Sequence, residues 1–202
     1  MDRKSWLFAC CALWVALVIW PDQAYAANQP YTVNSPGSPD FTADITLTDI
    51  NGKVVTGKIF VKGGSVRQEL LHPEGILITI LRKDKSVFWT LMPGKRYMEM
   101  KNPVDPTEPQ RVEFERELSG IESINGYDCE IIRYKYKNRT YGMFTVWFAS
   151  KLNYGIRTET QSASGTIIAT SECRNIKEST LNDALFEIPP GYVKYSLFKM
   201  RS

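Results

Sequence analysis

His72 is the one histidine among the 202 residues of the chain. A Ser-His-Asp triad would have to use it, and a metal site built on several histidines is excluded. It precedes Pro73 between two apolar segments, which is typical of a turn. No Gly-x-Ser-x-Gly motif occurs, and no glycine group forms a phosphate-binding loop before a helix. We therefore predict no catalytic residue, no metal ligand and no cofactor, and we expect a binding protein rather than an enzyme.

The N-terminus has the three parts of a removable export signal. Arg3 and Lys4 form a basic start, residues 6–20 are apolar, and Ala24-Tyr25-Ala26 is a small-x-small cleavage site. A membrane anchor needs about 20 apolar residues, so this segment is short for one. We predict a signal peptide over residues 1–26, cleavage after Ala26 and export to an oxidising compartment, which the resemblance given below implies is the periplasm.

Two cysteines, Cys129 and Cys173, remain after the predicted cleavage. In an oxidising compartment such a pair is a disulfide candidate. The alternative is two separate buried thiols. The two residues are too far apart in sequence for a redox-active Cys-x-x-Cys motif.

The rest of the chain is predicted to form successive strands. Residues 27–40 contain three prolines and are predicted to be a flexible lead-in to a single domain over residues 41–198. Asn51-Gly52 and Asn125-Gly126 are hairpin turns between segments of alternating hydrophobicity. Residues 112–118 fit a strand or a helix, and we choose a strand because a hairpin follows. Residues 180–186 are predicted to form a single helical turn. Residues 101–110, with three more prolines, are predicted to be a surface connector.

Some of these strands are apolar on both sides. Trp89 and Leu91 alternate with Phe88, and Trp147 alternates with Val146 and Phe148. In an antiparallel sheet with one face in water, apolar and polar residues would alternate more regularly along each strand. A sheet that curls on itself could enclose an apolar hollow, or the same residues could fill a packed core. We expect a hydrophobic ligand site to be lined or backed by eight residues: Phe88, Trp89, Leu91, Tyr134, Phe144, Val146, Trp147 and Phe148.

The charge of the chain is mild. Its formal net charge is +3, from 25 basic and 22 acidic residues, which gives no argument for nucleic acid. Arg133, Lys135 and Lys137 form a basic row along one strand. We interpret this row as a solvated outer face, with peripheral contact with a membrane as the alternative.

Three motifs carry a resemblance to a known family. They are residues 86–97 (SVFWTLMPGKRY), residues 120–129 (GIESINGYDC) and residues 185–192 (LFEIPPGY). In this order they resemble segments of the periplasmic lipoprotein-carrier and lipoprotein-sorting (LolA-like) superfamily. The resemblance implies a mainly β fold, with a strongly curved antiparallel sheet that forms an incomplete barrel with little helix.

The resemblance also implies a function. It favours a periplasmic carrier or binding protein that holds a lipid or a lipid-modified protein in an apolar concave sheet. The alternative is an envelope structural or sensory protein with a filled core that acts through protein–protein contacts. In that case residues 101–110 are a candidate contact with an envelope protein partner.

Overall fold

The structure is a computed structural model, and it describes residues 37–101, 114–137 and 142–195. Twelve strands form one sheet in the order β12-β6-β5-β4-β3-β2-β1-β11-β10-β9-β8-β7. The two ends of this order do not pair, so the sheet is not closed and forms an incomplete barrel, as predicted. The strands are β1 (Phe41–Asp49), β2 (Val54–Lys62), β3 (Ser65–His72), β4 (Gly75–Arg82), β5 (Val87–Met92), β6 (Arg96–Lys101), β7 (Phe114–Ile124), β8 (Tyr127–Tyr136), β9 (Met143–Ala149), β10 (Tyr154–Gln161), β11 (Ile167–Glu178) and β12 (Val193–Lys194).

Two antiparallel meanders make up the sheet. The first runs from β1 to β6 and the second from β7 to β11, and they join where β1 pairs with β11. Asn125 and Gly126 both have positive φ in the β7–β8 turn, as a tight two-residue hairpin requires. The segment that fitted a strand or a helix is strand in its described part, where β7 begins at Phe114. Residues 102–113, which include most of the predicted connector, lie outside the described residues, as do residues 1–36 with the predicted signal peptide.

The sheet curls so strongly that strands which are not neighbours touch. The Asn125 side-chain amide donates to the Cys173 carbonyl at 2.8 Å, although β9 and β10 lie between β8 and β11. The Phe41 ring meets the Tyr154 ring edge-on, with 5.4 Å between the centroids. These contacts close one end of the sheet around the main apolar core, which includes Ile45, Ile59 and Trp147.

A β-bulge changes which side of the second meander meets this core. In β10 the register with β9 shifts between Gly155 and Arg157, which leaves Ile156 as the extra residue. As a result, Trp147 and Ala149 pack into the main core although Val146, on the other side of β9, belongs to a second cluster. Both sides of β9 are therefore buried.

The C-terminal segment returns to the first meander. Asp183–Phe186 forms a single 3-10 turn, capped by the Asn182 side chain, where one helical turn was predicted. The chain then forms β12, which pairs in parallel with β6. The sequence analysis did not predict this short strand.

Candidate functional site

The outer face of the first meander, which bears Ile80, Trp89 and Leu91, is covered by the C-terminal segment. Leu181 and Phe186 are buried against these three residues. Further half-buried apolar residues complete this cluster: Phe60, Ile78, Val87, Tyr97, Leu185, Ile188 and Tyr192. The protein thus closes its own outer face here.

Three cations of the outer face hold the backbone of that segment. Lys62 donates to the Leu181 carbonyl at 2.5 Å, and Arg67 donates to the Leu185 carbonyl at 3.0 Å. Arg82 donates to the Phe186 carbonyl at 3.2 Å. These bonds satisfy carbonyl groups that lie outside the strands, and bonds from charged donors are stronger than neutral ones. We call Lys62, Arg67 and Arg82 the carbonyl clamp.

An ion-pair network extends the carbonyl clamp. Arg82 pairs with both Asp84 and Glu187, and Lys85 reaches Glu187 at 2.7 Å. The hydrogen bond from Lys85, followed by the one from Arg82, lowers the pKa of the Glu187 carboxyl. A carboxyl whose pKa is lowered by folding stabilises the folded state above its unfolded pKa, and this contribution is lost as the pH falls through the folded pKa.

We expect acid to loosen this network. The melting temperature should fall as the pH decreases from about 5 to about 3, because carboxyl groups with lowered pKa values must take up protons. Glu187→Gln should show a shallower fall, and its deficit against the wild type should be largest near neutral pH. Thermal unfolding followed by circular dichroism across this range measures both effects. Glu74→Gln in the exposed β3–β4 turn is the control, and an equal change in both variants would contradict the assignment.

The inner face of the first meander is the side that bears Phe41, Ile59 and Gln68. Apolar residues of neighbouring strands stand in register along it. One cross-strand row consists of Phe41, Val61, Val66, Leu81, Phe88 and Met100. This face is opposite to the one that the C-terminal segment covers. Asp183–Phe186, the one helical turn among the described residues, lies on the outer face.

The inner face continues across the junction into the second meander. Leu47, Ser171, Thr158 and Val146 form one row across β1, β11, β10 and β9. The Thr158 and Ser171 hydroxyl groups lie 2.7 Å apart in a hydrogen bond, and both residues are only half-buried. They lie between the main core and a second apolar cluster. The buried residues of this second cluster are Ile132, Tyr134, Phe144 and Val146, and the residues packed against them are Phe114, Tyr136 and Phe148.

The eight predicted ligand residues are divided by the structure among four places. Phe88 lies on the inner face of the first meander. Trp89 and Leu91 lie on the outer face, beneath the C-terminal segment. Trp147 lies in the main core, where the Arg157 guanidinium stands 4.4 Å from its ring centroid and its indole N–H donates to Glu122 at 2.6 Å. Tyr134, Phe144, Val146 and Phe148 share the second cluster.

The two cysteines are free, buried thiols, so the structure has the second of the two alternatives and not the candidate disulfide. Both belong to the main core, where they fill volume as small apolar side chains. Burial raises the pKa of the Cys129 thiol to about 11 and that of Cys173 to about 12. Both thiols are therefore protonated near neutral pH, which makes them poor nucleophiles.

The basic row of β8 faces acidic residues rather than an open cationic surface. Arg133 stands opposite Glu117 in the register, and Lys135 stands opposite Glu115. The Lys135 ammonium group also reaches Glu117 at 2.9 Å. These exposed pairs neutralise the row locally, as expected for a solvated face.

Within the described ranges, no three His, Cys, Asp or Glu side chains lie close enough to hold a metal ion. No helix in that part of the chain is long and apolar enough to cross a membrane. The described sheet has two main features, which are an apolar inner face and an outer face covered by the C-terminal segment.

Comparison with known proteins supports the fold. No protein-family model matches the chain, and no curated protein matches it in sequence. An uncharacterised conserved protein from Thermus thermophilus aligns with a TM-score of 0.59 and 12% identity, over 79% of this chain and 92% of that one. MucB aligns with a TM-score of 0.52 and 12% identity, over 85% of this chain. The chain shares its fold with part of MucB.

This similarity has a limited extent. The chain covers 62% of the MucB chain. A LolA superfamily protein from Nitrosomonas europaea also matches, with a TM-score of 0.38 and 13% identity, over 78% of this chain and 93% of that one. At 12% identity, the likeness to MucB is one of fold.

Two features of the site were missed in the sequence. The carbonyl clamp was not foreseen, because nothing in the pattern shows that Arg67 and Arg82 meet backbone carbonyls more than a hundred residues away in the chain. The buried amide of Gln68 on the inner face was also missed. A signal for it existed, since a glutamine flanked by Val66 and Leu70 on the same side of a strand is unusual in an apolar pattern.

Proposed function

We propose that this protein is a periplasmic carrier or binding protein that holds a lipid or a lipid-modified protein against its inner face. The observation that carries the proposal is the continuous inner face itself, which joins the main core to the second cluster through half-buried Thr158 and Ser171. The outer face of the first meander is closed by the protein's own C-terminal segment. An acyl chain would therefore lie on the inner face.

The chemistry of this face favours an apolar ligand. Burial of apolar surface contributes on the order of 25 cal/mol per Å² before the cost of ordering the ligand. Phe88, Phe144, Val146, Phe148 and Tyr134 remain the proposed contacts. Trp89 and Leu91 lie on the outer side of β5 and would hold this strand in place without touching the ligand. Trp147 would support β9 from its other side. The protein would act by binding rather than by catalysis.

The periplasmic location is supported by the predicted signal peptide, residues 1–26. It is also supported by the similarity of the fold to MucB, which has been solved in complex with MucA(peri). The proposed mature protein begins at Ala27 and contains one domain over residues 41–198.

Filling the inner face at the junction tests the proposal. Ser171→Trp should weaken binding of a fluorescent long-chain phospholipid at least tenfold, because the indole would occupy the space proposed for the acyl chain. Thr170→Trp is the matched control, since residue 170 is the neighbour of Ser171 on β11 and points to the opposite side. We expect its affinity to stay within about twofold of the wild type. Fluorescence titration of the three purified proteins provides the measurement.

The outcomes separate a hollow inner face from a filled one. A hollow predicts that Ser171→Trp keeps the melting temperature of the wild type and loses binding. A filled core predicts that Ser171→Trp is strongly destabilised, and that the wild type itself fails to bind the phospholipid.

A second function, protein–protein contact in the cell envelope, is favoured by two observations. MucB, with which this chain shares its fold, has been solved in complex with MucA. The edge strand β7 exposes Leu118 and Ile121, and among the described strands it pairs with β8 alone. An exposed edge strand can pair with an extended segment of another protein. The predicted contact at residues 101–110 lies almost wholly outside the described residues.

A further inference from the structure

The inner face carries a polar strip in its apolar surroundings. Gln68, Thr79 and Thr90 stand side by side on β3, β4 and β5, as direct partners in the register. Their exposed fractions are 3%, 5% and 4%. Glutamine and threonine are mostly surface residues, so three of them buried in one row need a physical reason.

The residues around the strip are apolar. The row on one side is the one already described, from Phe41 to Met100. The row on the other side contains Ile45, Leu70 and Leu77. Within the strip's own row, Ala43 and Ile59 precede Gln68, and Met98 follows Thr90. An acyl chain on this face would therefore contact apolar side chains in the neighbouring rows and polar side chains in this one row.

The Gln68 amide is not satisfied within the described protein. Its Nε2 atom is buried and has no hydrogen-bond partner among the described residues. A buried N–H without an acceptor is destabilising, because the group has lost its hydrogen bonds to water. A ligand bound on the inner face would supply the hydrogen-bond acceptor that the Gln68 amide lacks.

The chemistry of the strip favours a neutral acceptor. It contains no charged side chain, and the charged neighbours Arg67 and Glu69 are on the outer side of β3, where they pair with each other at 2.7 Å. A carboxylate buried at the strip would lack a cation, whereas the carbonyl oxygen of an ester needs only hydrogen-bond donors. The two threonine hydroxyl groups can donate as well.

We propose that Gln68, with Thr79 and Thr90, binds the ester carbonyl of an acyl ligand and so fixes how far its chain enters the hollow. This inference rests on the proposed function, since it requires that an acyl chain occupies the inner face. It adds the class of ligand, an acyl ester, and a group that recognises it.

A pair of ligands that differ in one oxygen atom tests the inference. Methyl palmitate and hexadecyl methyl ether have the same chain length and no charge, and only the ester has a carbonyl. Each would displace the apolar fluorophore N-phenyl-1-naphthylamine from the wild-type protein. We expect the ester to bind about tenfold more tightly, the equivalent of one net hydrogen bond.

Gln68→Met then identifies the donor. Methionine keeps the length of the side chain and removes the N–H groups, so the preference for the ester should disappear while the ether binds as before. The control is Gln161→Met, which replaces an amide that donates to Glu159 at 3.0 Å. That variant should retain the preference. Circular dichroism verifies the fold of each variant, and Thr79→Val offers a second substitution in the strip, expected to reduce the preference in part.

The results distinguish the inference from the function beneath it. Equal binding of ester and ether to the wild type would overturn the inference and leave the carrier function standing. A preference that survives in Gln68→Met would place the carbonyl elsewhere and would also overturn it. If neither ligand displaced the fluorophore from the wild type, the proposed function would fall, and the inference with it.

Discussion

Phe41→Ala is expected to lower the free energy of unfolding by about 3–5 kcal/mol, the usual cost of removing a buried phenylalanine ring. Phe41 has no exposed surface, and it lies on β1, the strand that joins the two meanders. Its ring meets Tyr154 of β10 across the curled sheet. The substitution should therefore weaken the contact between the meanders as well as leave a cavity. Urea unfolding followed by tryptophan fluorescence provides the measurement.

The control for this prediction is Ile121→Ala on the edge strand β7. Ile121 is a large apolar side chain that is 74% exposed, so its truncation should change the free energy of unfolding by less than about 0.5 kcal/mol. If Phe41→Ala were as mild as Ile121→Ala, the two meanders would not share a core at this point.

Phe186→Ala should also cost about 3–5 kcal/mol, and its effect should be concentrated in the C-terminal segment. Phe186 is buried against Ile80, Trp89 and Leu91, and its carbonyl accepts a hydrogen bond from Arg82. Loss of the ring would release the segment from the outer face and expose the indole of Trp89. Limited proteolysis should then cut after residue 180 much faster than in the wild type.

Val193→Ala is the matched control, because Val193 lies in the same segment and is mostly exposed. It should show wild-type proteolysis. Equal rates of cleavage in Phe186→Ala and the wild type would mean that the carbonyl clamp alone fastens the segment. Tryptophan fluorescence offers a second readout, since Trp89 should shift to longer wavelength only in Phe186→Ala.

Much of the fold could be predicted because its turns are marked locally. Asn125-Gly126 marks the β7–β8 hairpin, and both residues have the positive φ that a two-residue turn needs. Asn51-Gly52 also marks a hairpin, but the predicted two-residue turn is wrong there, because the connection runs from Asp49 to Val54 and Gly52 has positive φ whereas Asn51 does not. The alternation of β1, from Phe41 to Asp49, identified its buried side without ambiguity. The parallel strand β12 was missed because it has two residues and depends entirely on its long-range partner, β6.

The sides of the two-sided strands could not be assigned from the sequence. Alternation showed that Phe88 opposes Trp89 and that Val146 opposes Trp147, but not what would cover each side. The Trp89 side of β5 is covered by the C-terminal segment, which is far away in the sequence. The Trp147 side of β9 is buried because the bulge at Ile156 turns it toward the main core. Bulges depend on pairing between strands, so a single strand's pattern does not reveal them.

The cysteines illustrate the same limit. Two cysteines in an exported protein make a disulfide a candidate from the compartment alone, yet a disulfide needs its two Cβ atoms within about 4.5 Å. Cys173 pairs with Ile45 of β1, and Cys129 pairs with Ala149 of β9. They occupy different strands of one core as free thiols.

Native mass spectrometry of residues 27–202, exported to a bacterial periplasm and purified without detergent, tests the central claim most directly. The carrier function predicts a retained mass that matches a phospholipid or another acyl ester, and loss of that mass in Ser171→Trp but not in Thr170→Trp. A protein of its own mass alone, which also takes up no fluorescent phospholipid, would contradict the claim. The filled-core protein that acts through envelope contacts would then be the better description.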